Sequence, residues 1–282
     1  MTEVKKQTLP SQNGSTQGSL QKAHKVQFST LIKSDKVQKA LTETLGDVAR
    51  AKTFTASVIS AVNTNRALAD CDGMSIISGA LLGETLKLSP SPQLGRYYLV
   101  PFKDNKTHTT KATFQMGYKG YYELAMRSGA YKKITAISVK EGEFEFYDPF
   151  IEEFGYHHIV DPDERANAKT IGYYAFFELT NGFTKTIYWT KNQMEKHAEK
   201  YSMGYRAHKG YTFWEKDFDA MAIKTMYRQL LSKYGILSVE MQNALTNDMT
   251  IQPDITKEES SNDEEPVYFD TVIDAETGEV SE

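Results

Sequence analysis

Along "SDKVQKALTETLG" the apolar residues Val37, Ala40, Leu41 and Leu45 recur at three- and four-residue steps. That spacing lines one face of an α-helix, with Ser34 as its start signal and Gly46 as its stop. "TASVISAVNTNRALADC" and "MSIISGALLGETLKL" predict two more helices, which end before "SPSP". The pattern then changes. "LGRYYLVPF" and "KATFQMGY" are strand-like and are joined by the polar "KDNKTHTT". "KGYYELAMRSG" predicts a short helix stopped at Gly129. "YKKITAISV", "GEFEFYD" and "FGYHHIV" predict further strands. In "TIGYYAFFELTNGFTKTIYWT" two β-rich runs flank Asn181-Gly182, a strong hairpin signal. "KNQMEKHAEKYSM" predicts a helix, "GYRAHKGY" a basic loop, and "TFWEKDFDAMAIKTMYRQLLSKYG" one long helix ending at Gly235. The order is helices, an antiparallel sheet with β-hairpins, then C-terminal helices. That is an α+β arrangement, not strict alternation.

Charge divides the chain further. Residues 1–25 are rich in Ser, Gln, Gly and Lys and are expected to be a disordered arm. Residues 248–282 hold 12 acidic residues against one base, Lys257, and are expected to be a disordered acidic tail. With a net charge of -4 overall, residues 1–247 carry +7. The core, residues 26–247, is thus a basic body suited to a polyanion, or merely a solvated one. One cysteine, Cys71, forms no intrachain disulfide and points to a reducing cytoplasm. No apolar run has membrane-spanning length, and "MTEVKKQTLPSQNGSTQGS" lacks the apolar centre of a signal peptide.

Several chemistries find little support. "GALLGETLKLS" has neither the spacing nor the Lys-Ser/Thr pair of a phosphate-binding P-loop. His157 and His158 are adjacent, so on a strand they face opposite ways and share no metal. Glu143 and Glu145, with Asp148, could hold a divalent ion as in metal-dependent nucleases, or simply form a wet strand face. Asp217 and Asp219 do not face each other within a helix.

"FQMGYKGYYELAMRSGAYKK", Phe114 to Lys133, mixes glycines, rings and bases. Gly117 and Gly120 would let a backbone approach a ligand, and a helix N-terminus there would face a phosphate. Lys119 adds charge, and Tyr118 and Tyr121 offer faces to bases. Phe114, Tyr122, Leu124 and Met126 are expected to pack inside. In the last helix Ile223, Met226 and Leu230 form a core flank, while Lys224 and Arg228 repel at i,i+4 unless an anion lies between them.

"SPQLGRYYLVPF", "FQMGYKGYYELAMRSG", "FEFYDPFIEEFG", "GYYAFFELTNGFTKTIYWT" and "WEKDFDAMAIKTMYRQLLSKYG", in this order, resemble the RecT family of phage single-strand annealing proteins. The likeness spans roughly residues 30–240, with Met116 a small departure from the usual block. It implies ATP-independent binding of single-stranded DNA, annealing of complementary strands and limited strand exchange. It implies rings or helical filaments and a β-β-β-α core like that of Rad52-type proteins. The expected partners are an annealed duplex intermediate, a phage 5′-to-3′ exonuclease and the host single-strand binding protein, in the bacterial cytoplasm. No cofactor and no bond-breaking chemistry is expected, Mg2+ at most modulating DNA binding. Motif position and chemistry together nominate Lys111, Lys119, Arg127, Lys132, Lys133, Arg206, Lys209, Lys224 and Arg228 as backbone grips. Gln115, Tyr118 and Tyr121 are the candidate base or sugar contacts. The alternatives are a nuclease using Glu143, Glu145 and Asp148, or a passive single-strand binder.

Overall fold

The computed structural model describes residues 27–104, 109–210 and 212–256, and a two-residue strand pair at 272–273 and 280–281. The expected arm, and the tail from 257 apart from that pair, lie outside the described residues. The N-terminal part is helical, with α1 (Phe28–Ile32), α2 (Asp35–Leu45), α3 (Val48–Thr64), a tight turn at Arg66–Asp70 and α4 (Gly73–Thr85). The stripe Val37, Leu41 and Leu45 is buried, as its period demands. Ser34 stands at the start of α2, but its hydroxyl donates to the Leu31 carbonyl and so closes α1 instead. The second expected helix begins earlier, where the Asp47 carboxylate accepts from the Ala49 and Arg50 N–H groups. It breaks at Asn65, whose side chain accepts from the Ala67 N–H.

α4 is apolar all round and is buried accordingly. Over it lies the hairpin of β1 (Tyr97–Asp104) and β2 (Thr109–Met116). A Cβ at Gly79 would meet Leu99 at 2.8 Å, and one at Gly83 would meet the Tyr97 ring at 2.4 Å, so helix and hairpin touch through glycine. The hairpin register pairs Tyr97 with Met116 and Leu99 with Phe114, all turned into the core.

α5 (Tyr118–Arg127) follows β2 at once. Then come β3 (Tyr131–Lys140), β4 (Phe144–Asp148), β5 (Glu153–Tyr156), α6 (Pro162–Asn167), β6 (Thr170–Leu179) and β7 (Thr184–Thr190). Helices α7 (Lys191–Tyr201), α8 (Met203–Arg206), α9 (Phe213–Lys216), α10 (Phe218–Tyr234) and α11 (Val239–Asn247) follow. An antiparallel sheet has the order β3-β6-β7, its hairpin turning at Asn181-Gly182. Tyr173, Ala175, Phe177 and Leu179 alternate onto its buried face. α10 packs against both this sheet and α5, so it is buried on two flanks. The fold is α+β, and helices follow the three strands of this sheet, with the β4-β5 hairpin and α6 inserted after the first strand.

α6, α8 and α11 lie where no helix was expected, and two expected elements end or break early. The strand expected through "FGYHHIV" ends at Tyr156, after which a single bond, from the His157 N–H to the Glu143 carbonyl, closes the ladder. The long helix expected from Thr212 breaks at Asp217. The Asp217 carboxylate accepts from the Ala220 N–H and starts α10 afresh.

The boundary expected at 247/248 falls inside the folded core. Asp248 has a fully buried side chain. It accepts from the Met116 N–H at 2.8 Å, the Tyr121 hydroxyl at 2.8 Å, the Lys224 ammonium at 3.1 Å and the Arg228 guanidinium at 3.2 Å. Next to it, the Phe114 N–H on β2 donates to the Thr250 carbonyl, and the Met249 N–H donates to the Phe114 carbonyl. The chain past α11 is therefore tied to β2, α5 and α10 together. A chain ending at Thr256 should keep the wild-type urea midpoint. A chain ending at Asn247 should lose about 3–5 kcal/mol, because Lys224 is left buried without its counter-charge.

Candidate nucleic-acid interface

In the β1-β2 register the row opposite the core pairs Tyr98 with Gln115, Val100 with Thr113 and Phe102 with Lys111, with Thr113 itself buried. Alternation puts this row on the face opposite α4. Tyr98 and Phe102 are each 37% exposed, and Gln115 and Lys111 are half-buried. The face continues across the corner into α5. A Cβ at Gly95 would lie 3.1 Å from the Tyr98 hydroxyl and 3.4 Å from the Lys119 side chain, so these two groups converge there. Tyr118 stacks nearly parallel on Tyr227, 6.5 Å between centroids. The Phe213 ring stands 6.4 Å from Tyr98, bringing the start of α9 to the same face. Arg206, at the end of α8, and Lys209, on the α8–α9 connection, are both exposed and precede Phe213. A groove of about 500 Å³ adjoins this face, lined by Leu94, Arg96, Lys119, Tyr122, Met126 and Arg127.

The structure thus brings Lys111, Gln115, Tyr118 and Lys119 to one surface, while Arg206 and Lys209 lie in the segment that leads to Phe213. Lys133 is exposed elsewhere, at the start of β3, 5.8 Å above the Phe176 ring. Lys132 is paired with Glu178 at 2.6 Å. Arg127 donates to the Leu86 and Lys87 carbonyls at 2.6 and 3.2 Å. That is a cation capping the end of α4, not a group held ready for phosphate.

Two of the expected contacts, Tyr121 and Lys224, belong to the interior, and a third, Arg228, is half-buried and tied to the same carboxylate. Tyr121 is fully buried on Asp248. Lys224 is 6% exposed, and the anion that lies between it and Arg228 is the Asp248 carboxylate. The charge argument at i,i+4 was sound, but the chain supplies the anion itself. Conversely Tyr122, expected inside, is 43% exposed and Met126 is exposed too, while Phe114 and Leu124 are buried. Rotation about α5 decides this: Tyr121 and Leu124 face β2 and α10, so Tyr122 and Met126 face out. Tyr98, Phe102, Arg96 and Phe213 were missed. Arg96 pairs with Glu123. The signal for Tyr98 and Phe102 was the alternation of β1 itself: every second residue must leave the core.

The glycines of "GYKG" also have a different purpose. A Cβ at Gly117 would sit 2.1 Å from the Gly95 carbonyl oxygen, and one at Gly120 would sit 2.2 Å from that of Arg96. The backbone they approach is their own β1 entry, not a ligand. The Gly117 N–H donates to the Arg96 carbonyl at 2.8 Å.

Electrostatics set the interior cluster. Burial alone would raise the Asp248 pKa, but Lys224, Arg228, the Met116 N–H and the Tyr121 hydroxyl outweigh it and hold the carboxyl below its ordinary range. Burial pushes the Lys224 ammonium down, against the pull of Asp248. Burial and the adjacent carboxylate push the Tyr121 hydroxyl well up, so it stays a donor.

The nuclease constellation is not assembled. Glu143 is held by Arg165 and by the Lys140 N–H, and Glu145 lies 4.0 Å from His157. Among the described residues no three acidic, histidine or cysteine side chains form a metal-holding group. No helix among them is long and apolar enough to cross a membrane.

Rings, an amide and lysines sharing one exposed face form the kind of surface found in single-strand-binding proteins. Residues 52–266 match the family model described as the RecT family. The chain is 43% identical over 235 residues to the uncharacterized protein YqaK of Bacillus subtilis (strain 168), covering 83% of this chain and 76% of that one. It is 33% identical over 195 residues to protein RecT of Escherichia coli (strain K12), covering 66% and 68%. The chain belongs to the RecT family, and so to the single-strand annealing recombination proteins.

Gly117→Ala should cost stability, about 1–3 kcal/mol, because the backbone it touches cannot yield; a denaturant midpoint without DNA reads this directly. In Asp248→Asn the acid limb should flatten. A lowered carboxyl pKa contributes stability above the unfolded value of about 4, lost as pH falls through the folded pKa. Wild type should therefore lose more stability than Asp248→Asn below about pH 4, measured by thermal melts across pH.

Proposed function

We propose that the chain binds single-stranded DNA without ATP and anneals complementary strands, with limited strand exchange. The carrying observation is the outward face of β1-β2, with Tyr98, Phe102 and Lys111, continued through Tyr118 and Lys119. Tyr98, Phe102 and Tyr122 offer stacking surfaces to bases of any sequence. Lys111, Lys119, Arg206 and Lys209 neutralise phosphates and release counterions, which lowers the repulsion between two strands. A surface that grips backbone and leaves base edges free lets Watson–Crick pairing test homology. Copies assembled as a ring or helical filament would keep successive stretches in register. The same reading includes cooperation with a 5′-to-3′ exonuclease and a host single-strand binding protein, and a bacterial cytoplasmic setting.

Tyr98→Ala and Lys119→Ala test it. Each stacked base is worth about 1–3 kcal/mol, so Tyr98→Ala should weaken oligonucleotide binding by roughly that much. Lys119→Ala should reduce the salt slope of binding by about 0.7. Both should slow annealing of complementary oligonucleotides, and strands incubated with Mg2+ should keep their full length. Unchanged binding and annealing in both variants would remove DNA from this face. Tight coating without faster pairing would reduce the protein to a passive binder.

A further inference from the structure

The segment Glu141–Glu164 stands out as an acidic finger. It carries nine carboxylates and no lysine or arginine. The rest of residues 1–247 holds 32 lysines and arginines against 16 acidic residues. The finger's root is well packed: Phe144 and Phe154 lie 5.0 and 5.3 Å from the Tyr188 ring, and Phe154 lies 4.7 Å from Tyr174. Its tip is bare, with Phe150 94% and Ile151 68% exposed. The tip is nevertheless held in shape. The Asp148 carboxylate accepts from the Phe150 N–H at 2.8 Å, and Glu152, at φ 59°, is pinned by Lys185. Nucleic acid is repelled by such a finger, while an apolar knob on an acidic stem suits a protein surface.

A receptor of matching kind lies on the N-terminal helices. A cleft of about 250 Å³ opens between α3 and α4, walled by Arg50, Phe54, Ala80, Glu84, Leu88 and Tyr97. Tyr97 is 1% exposed, yet its hydroxyl has no hydrogen-bond partner. That hydroxyl is out of reach from the cleft, so Tyr97 contributes only its ring to the wall. The acids near the mouth are engaged: Asp47 caps α3, and Glu84 pairs with Arg50 at 3.1 Å. Lys36, Lys39 and Lys52 stand exposed on α2 and α3, and Val48 is 54% exposed.

We propose that the finger tip of one copy seats in the α3–α4 cleft of a second copy. Phe150 fills the apolar part beside Phe54, Leu88 and the Tyr97 ring, and the acidic stem faces the lysines of α2 and α3. Knob and cleft are different patches, so the contact is head-to-tail and propagates into a ring or filament. This rests on the self-assembly proposed above.

Phe150→Asp places a charge on the exposed tip, and Thr53→Trp fills the cleft mouth. Molecular mass is read by light scattering on full-length protein. Each variant alone should fall to the 31.9 kDa monomer. Mixed one to one, they should form dimers and stop there, since one intact tip meets one intact cleft. Wild-type assembly in either variant alone, or a mixture that stays monomeric, would overturn the finger contact. So would loss of assembly on deleting residues 1–26 while Phe150→Asp assembles normally, since the arm would then be the occupant. A wild-type chain that is monomeric with and without oligonucleotide would instead remove self-assembly itself, while DNA binding at Tyr98 and Lys119 is read separately.

Discussion

One buried carboxylate holds the corner on which the proposed interface is built. Asp248 joins the end of β2, the first turns of α5, the middle of α10 and the chain beyond α11. Taking a carboxylate and an ammonium out of water costs several kcal/mol per ion, and only complete pairing offsets that. Here pairing is thorough: one oxygen serves Met116 and Lys224, the other Tyr121 and Arg228. Such a network adds little net stability compared with apolar packing, but it is strongly directional. It fixes how α5 leaves β2, and with that the heading of Tyr118, Lys119 and Tyr122.

Around this network the other constraints are steric. Gly117 and Gly120 let α5 press against the Gly95–Arg96 backbone, and Gly79 and Gly83 let α4 press against β1. Arg127 then ties the end of α5 to the end of α4. Hairpin, α4 and α5 are thus packed into one piece, and the outward row of β1-β2 rests on it. A strand-binding face gains from such packing, because ordering entropy need not be lost again on binding.

The legible parts were those with local causes. The stripe of α2, the Asn181-Gly182 hairpin and the alternation of β6 each carry their fold in a few neighbouring residues. The break at Asp217 was not legible, since an aspartate inside a helical run and one capping a new helix look alike until the φ and ψ angles are known. At the interface Lys111, Gln115, Tyr118 and Lys119 were found from composition and motif, but Tyr121 and Tyr122 were exchanged. Adjacent tyrosines differ by about 100° around a helix, and only the position of α10 says which of them is covered.

By itself the sequence determined the α+β order, the family, the basic body and the stretch from Phe114 to Lys133 as the region of interest. These follow from short-range periodicity, charge and a specific block of residues. Tertiary structure alone decided what each charge and ring is for. Lys224 and Arg228 met an internal carboxylate 20 or more residues away, Arg127 met the end of a helix, and Tyr98 met Lys119 across a corner. Ion pairs and burial depend on distance in space, and a linear pattern records distance only along the chain.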